Sequence, residues 1–260
     1  MIFIAVNASC KLIVSFTEEK NMNIKNAVVL VTGSNRGLGK ALVESLISAG
    51  AKKVYATARN TQELNFGSVK SEVELLALDI TDQLSIQKAA VKARDVTLLI
   101  NNAGVLEFGD ILEVPVDRIK HSLEVNFYGS LAMSKQFAPI IESNGGGAIV
   151  NILTLLSLAS MPGLSAYNAS KAAEWSMSLS LRASLKDKMV DVHNVFPGAV
   201  NTDMLRAVEM DKTDPAEVAN NIVEGVNQGL EDIFPDPMSK EVYQQWCKDH
   251  KSVERQFSQM

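Results

Sequence analysis

A chain of 260 residues, 47% of them hydrophobic and 21% charged, has the material for one large buried core. A formal net charge of −5 offers no basis for a nucleic-acid partner or an anionic membrane surface, and neither is expected. The two cysteines, Cys10 and Cys247, stand near opposite ends with no histidine cluster beside them; this supports neither a disulfide framework nor a zinc site and fits a reducing, cytoplasmic compartment.

The chain opens with MIFIAVNASCKLIVSFTEEKNM. Its apolar residues are interrupted by Lys11, no basic region precedes them, and the uninterrupted run is too short to cross a bilayer. Residues 1–22 are expected to be a dispensable extension, with Met22 an alternative start, ahead of one domain at 23–260. Within that domain apolar runs predict strands at 27–32, 53–58, 74–78, 96–101, 148–153 and 191–196, with a weaker one at 232–234. Helical spacing of apolar residues predicts helices over 38–49, 83–93, 117–142, 166–187, 215–228 and 239–249. Such alternation predicts an α/β fold: a single doubly wound domain whose seven-stranded parallel sheet is covered by helices on both faces.

The first strand runs into a turn in VVLVTGSNRGLG, with glycines at 33, 37 and 39. Glycines let the backbone turn sharply and approach a ligand, and the helix N-terminus that follows offers free N–H groups to a phosphate. A dinucleotide fits, held by Gly33, Asn35, Arg36, Gly37, Leu38 and Gly39. The spacing is Gly-x-x-x-Gly-x-Gly, not the general Gly-x-Gly-x-x-Gly, and by itself a glycine cluster after a strand also describes a tight turn. The second strand ends in Ala58 and Arg59, without the carboxylate that accepts from a ribose 2′-hydroxyl. Arg59 and Arg36 can instead clamp a 2′-phosphate through charge-assisted hydrogen bonds, so NADP(H) is the expected cofactor.

Further motifs follow in order: Asp79 in LALDIT, NNAG at 101–104, Asn126 in EVNFYG, Tyr167 and Lys171 in YNASK, and PGAVNTDM at 197–204. With TGSNRGLG they resemble the short-chain dehydrogenase/reductase family in its single-domain, NADP-preferring form, across residues 26–235. The resemblance implies a Rossmann-like fold, with Asp79 and Ile80 at the adenine. It also implies that Asn102, Ala103 and Gly104 lie beneath the cofactor, and that Pro197, Gly198, Val200 and Thr202 line the nicotinamide.

Tyr167 and Lys171 are four residues apart and so share one helix face. A nearby ammonium favours phenolate and brings the tyrosine toward the pH range where a general acid or base works well. In the resembling family a serine thirteen residues before the tyrosine polarises the substrate oxygen. Here that position is Thr154, which keeps the hydroxyl and adds a methyl group; Ser157 is the other nearby hydroxyl, and Thr154 is preferred. The family's helix asparagine holds a water that links the lysine to solvent, a role that falls to Asn126, whose poor helix propensity also suggests a local distortion.

His121, His193 and His250 form no cluster and are expected to be structural or exposed, with no metal. Trp175, Met177 and Leu179 are read as core or subunit contact, and the resemblance implies a homodimer or homotetramer. The substrate mouth is expected around 105–113, 155–164 and 203–214. Its residues Leu155, Leu156, Met161, Met204 and Leu205 suit an apolar small molecule. The expected activity is an NADP(H)-dependent oxidoreductase interconverting a ketone or aldehyde and its alcohol, with a non-catalytic NADP(H)-binding regulator as the alternative.

Overall fold

A computed structural model of the chain describes residues 22–67 and 72–260. The extension expected at 1–21, with Cys10, lies outside the described residues. Met22, assigned to that extension by the sequence, is buried in the core beside Ile24, and the Ile24 amide donates to the Asn227 side chain at 2.9 Å. The packed domain therefore includes Met22.

Seven strands form one parallel sheet: β1 (Val28–Val31), β2 (Lys53–Ala58), β3 (Val73–Ala77), β4 (Leu98–Asn101), β5 (Gly147–Ile152), β6 (Val190–Val195) and β7 (Asp232–Ile233). They are ordered β3-β2-β1-β4-β5-β6-β7, and every adjacent pair is parallel. The central strands β1 and β4 are buried at every position, which is why β1 reads as an unbroken apolar run and β4 as one up to its last residue, Asn101, whereas the edge strand β3 exposes Glu74, Leu75 and Ala77. One core lies between the sheet and the helices α1 (Gly37–Ser48) and α6 (Pro215–Asn227), through Leu42, Leu46, Ile222 and Val226. The other lies under α2 (Gln83–Lys92) and α4 (Ser130–Ser143), through Ile86, Met133, Phe137 and Ile141. Chain winding reverses between β1 and β4, and in such a sheet the crevice at the carboxyl ends of these strands is where ligands bind.

Two helices differ from expectation. The pattern at 117–142 is not one regular helix: α3 (Val116–Leu123) passes through a π-helical turn, Glu124–Gly129, into α4. The asparagine expected to distort it, Asn126, sits inside that turn, and single π-turns in α-helices often mark functional sites. After α5 (Ser165–Leu185), the last helix, α7 (Pro237–Phe257), runs eight residues past its expected end at 249, with non-helical backbone at Asp249. His250, one residue past that expected end, is therefore helical and stands against the Trp246 ring. Past the break, Val253 and Phe257 are buried one turn apart and pack with Val242, Leu155 and Ala159 in a third apolar cluster. A buried capping box, Asp236 with Ser239, starts α7, and the second Asp236 oxygen accepts from the Gly198 amide.

Candidate active site

The glycine-rich turn is held by the end of β4. Thr32 Oγ1 accepts from the Asn102 and Ala103 amides at 2.9 Å, and Asn102 Nδ2 donates to the Thr32 and Gly33 carbonyls. Two glycines are required by this geometry. Gly33 has φ +65°, where side chains are strained, and a Cβ on Gly39 would fall 2.2 Å from the Gly33 carbonyl oxygen. Arg36 stands at the N-cap of α1 without a capping side-chain bond, so the first N–H groups of that helix lack a side-chain acceptor.

Around this turn opens a cavity of about 720 Å³. Its walls hold Gly33, Asn35, Arg36, Gly37, Leu38, Gly39, Arg59, Asp79, Ile80, Asn102, Ala103, Gly104, Pro197, Gly198, Val200 and Thr202, together with Thr154, Tyr167 and Lys171. Residues from six strand ends and α5 thus meet in one space. Asn126 stands one layer behind, fully buried. Its Oδ1 accepts from the Val105 amide at 2.8 Å, and its Nδ2 donates to the Val105 carbonyl and to Ser170 Oγ, both at 2.9 Å.

The cavity has a charged end. Arg36 and Arg59 both reach it, but so do two carboxylates: Glu63 accepts from the Asn35 side chain at 2.8 Å, and Asp203 lies 3.9 Å from Arg36. The expectation of a corner free of carboxylates at the end of β2 is corrected here. Glu63 belongs to a short 3-10 turn, Thr61–Glu63, capped by Asn60, which folds it back four residues after Arg59. Asp79 is held below its usual carboxylate range, first by the Thr81 side-chain and backbone hydrogen bonds and then by the Arg59 charge.

At the other end the wall is apolar. The expected Leu155, Leu156, Met161, Met204 and Leu205 all line it, joined by Met238, Phe257 and Met260 from the C-terminal segment, which sequence reasoning missed. The i, i+4 spacing of Val253 and Phe257 was the available signal. His121 is exposed but also borders the cavity, a contact the sequence did not suggest.

Thr154, Tyr167 and Lys171 share the wall of the same cavity. Tyr167 is buried, and burial pushes its phenol above the usual tyrosine range; the Lys171 charge and a hydrogen bond with Thr154 pull it back, while Glu174 pushes it further up. Thr154 also accepts weakly from the Leu156 amide, at 3.3 Å. Ser157 does not line the cavity, and its buried hydroxyl has no hydrogen-bond partner among the described residues. Lys171 Nζ donates to the Ile152 carbonyl and to Glu174 Oε2, each at 2.7 Å. Burial alone would lower the Lys171 pKa, but the Glu174 charge keeps it above its ordinary value, so the ammonium is retained. Glu174, fully buried one turn along α5, is also a residue that the sequence reading missed.

A cradle that only glycine can form, an uncapped helix start and two arginines at one end fit a phosphate-bearing dinucleotide. Comparison with known proteins agrees with this chemistry. The family model for short chain dehydrogenases matches residues 27–213. The chain is 32% identical over 228 residues to the rat (Rattus norvegicus) dehydrogenase/reductase SDR family member 7B, covering 81% of this chain and 70% of that one. It is 25% identical over 253 residues to a 3-ketodihydrosphingosine reductase of Dictyostelium discoideum, covering 82% and 76%. Among solved structures, a short chain dehydrogenase from Burkholderia cenocepacia J2315 in complex with NADP superposes with a TM-score of 0.86 at 35% identity, over 91% of this chain and 99% of that one.

Proposed function

Because the chain belongs to the short-chain dehydrogenase family, we propose that it is an NADP(H)-dependent oxidoreductase interconverting an apolar ketone or aldehyde and the corresponding alcohol. One observation carries the reading: Tyr167, Thr154 and Lys171 stand on the wall of the same cavity that the glycine-rich turn and the arginines enter.

A nicotinamide cofactor, when bound, supplies or accepts the hydride. The first N–H groups of α1 and the turn Gly33–Gly39 hold its pyrophosphate, Arg36 and Arg59 its 2′-phosphate, and Asp79 its adenine. This phosphate grip and the NADP bound by the Burkholderia cenocepacia relative favour NADP(H) over NAD(H). Tyr167 gives its phenolic proton to the substrate oxygen during reduction and takes it back during oxidation. Thr154 donates a hydrogen bond to the same oxygen as negative charge develops there. Lys171 keeps its ammonium beside the phenol and retains one N–H beyond those given to Ile152 and Glu174. Asn126 steadies this floor through Val105 and Ser170. The apolar wall selects the carbonyl compound by excluding water and burying hydrocarbon. A homodimer or homotetramer belongs to the same proposal, with exposed Tyr128 and Leu179 available for the contact.

Turnover of a panel of aldehydes and ketones, followed by loss of NADPH absorbance, tests the reading. Consumption with at least one apolar carbonyl compound is expected. NADPH binding without any turnover would leave a non-catalytic NADP(H)-binding protein.

A further inference from the structure

Two of the three Lys171 N–H groups are committed before any ligand arrives, one to the Ile152 carbonyl and one to Glu174. Both partners of the ion pair are buried, with side chains 5% and 0% exposed. Stability does not account for such a pair, because withdrawing two charges from water costs about as much as their attraction returns. Nor is a lysine ahead of a glutamate the better order along a helix. The second Glu174 oxygen, Oε1, has no hydrogen-bond partner among the described residues, which adds to the cost of burying it.

The placement has a direct electrical result. Tyr167, Lys171 and Glu174 lie along one side of α5, and the phenol feels the ammonium and the carboxylate with opposite sign. Around the three, β5 and its extension bring the Ile152 carbonyl and the Thr154 hydroxyl, and α4 brings Ser130. Asp117, Arg118, Lys120, His121, Glu124 and Lys135, on the helices α3 and α4 and the π-turn between them, are exposed. His193 on β6 takes its charged neighbours from Asp191, Arg182 and Glu231 instead. No other charged group acts appreciably on Tyr167, Lys171 or Glu174 among the described residues.

We propose that Glu174 is a positioning residue for the proton chemistry of this site. Its carboxylate fixes the Lys171 ammonium against the Ile152 carbonyl and offsets part of its charge, so that Tyr167 keeps its proton to higher pH. At neutral pH the centre then rests in its proton-donating state. The inference rests on the carbonyl–alcohol reading above.

Glu174→Gln tests it by removing the charge while keeping the shape and an oxygen for Lys171. The full-length chain and the variant are each titrated by tyrosinate absorbance against their own Tyr167→Phe counterparts, which isolates Tyr167. The Tyr167 transition is expected about one pH unit or more lower in Glu174→Gln, the usual size for loss of a nearby like charge. The acid limb of kcat/KM for alcohol oxidation is expected to move down by the same amount. Superimposable absorbance curves, or a transition at higher pH, overturn the proposal. If Glu174→Gln does not fold, Glu174→Met removes the charge at similar volume and carries the same expectation. A wild-type chain that turns over no carbonyl compound or alcohol would defeat the functional reading alone, because the absorbance comparison still decides the role of Glu174.

Discussion

Asn35 donates a hydrogen bond to the Glu63 carboxylate at 2.8 Å, tying the glycine-rich turn to the short helical turn after β2. Glu63 thus lines the same cavity as Arg36 and Arg59 and carries a charge opposite to theirs.

Cofactor affinity reads that opposition. Arg59→Ala is expected to weaken NADPH binding by about 1.5–3 kcal/mol, the range for hydrogen bonds to charged groups, and to leave NADH nearly unchanged. Glu63→Gln is expected to strengthen NADPH binding, with the gain shrinking as salt rises. Fluorescence titrations with both cofactors check this, and equal losses for NADPH and NADH in Arg59→Ala would remove Arg59 from the role.

Tyr167→Phe keeps the ring and deletes only the hydroxyl. Cofactor binding is expected to survive while turnover falls roughly 10²–10⁴-fold, the range for a lost general acid. Near-normal turnover would place the proton donor elsewhere.

The two hydroxyls near Tyr167 should separate cleanly. Thr154→Ala is expected to cost about 2.7–4 kcal/mol of transition-state stabilisation, by analogy with other donors to a developing oxyanion. Thr154→Ser should stay active and accept bulkier substrates. Ser157→Ala should leave turnover intact and stability level or slightly higher, because its buried hydroxyl has no partner to lose. Values of kcat/KM for the three variants on one substrate decide, and a larger defect in Ser157→Ala would reverse the assignment.

Stability against pH probes the buried pair. In Lys171→Met the Glu174 carboxyl loses its counter-ion, and its folded-state pKa, already raised by burial, rises further. The folded state then holds a proton that the unfolded chain releases at a lower pH. Stability of the variant is therefore expected to fall as pH rises through and above the ordinary carboxylate range. The wild type, with its ammonium in place, should lose less over that window. Thermal melts of both chains across it make the comparison, and parallel curves would contradict a charged Glu174 in the wild type.

Removing residues 1–21 is expected to leave the melting temperature and activity unchanged. Ile24→Ala, by contrast, should cost about 2–5 kcal/mol, the range for emptying a buried aliphatic site. A truncated chain that melts lower than Ile24→Ala would assign a structural role to the removed segment.

Much of this was legible in the sequence, for physical reasons that differ from place to place. The strands were readable because a parallel sheet buried on both faces admits only apolar residues at positions such as Val29, Leu30 and Leu99. Gly39 was readable because its place against the Gly33 carbonyl admits no side chain. Glu63 was not, since a carboxylate four residues past a strand enters the cavity only if the chain turns back there, and Asn60 makes it do so. Glu174 was hidden by helical spacing alone, which cannot tell a buried polar face from a solvated one. The last eight residues of α7 were missed because Asp249 breaks the regular backbone just where the expected helix ended.

The cavity takes its walls from residues as early as Gly33 and as late as Met260, so it exists only when nearly the whole described chain is in place. A ligand bound there holds the entire domain together and not one lobe of it. At a hundred times its dissociation constant such a ligand adds about 2.7 kcal/mol to global stability. Protease resistance of α7, measured while cofactor is added, therefore reports occupancy at the glycine-rich turn near the opposite end of the sequence, and can serve as a binding assay before any substrate is known.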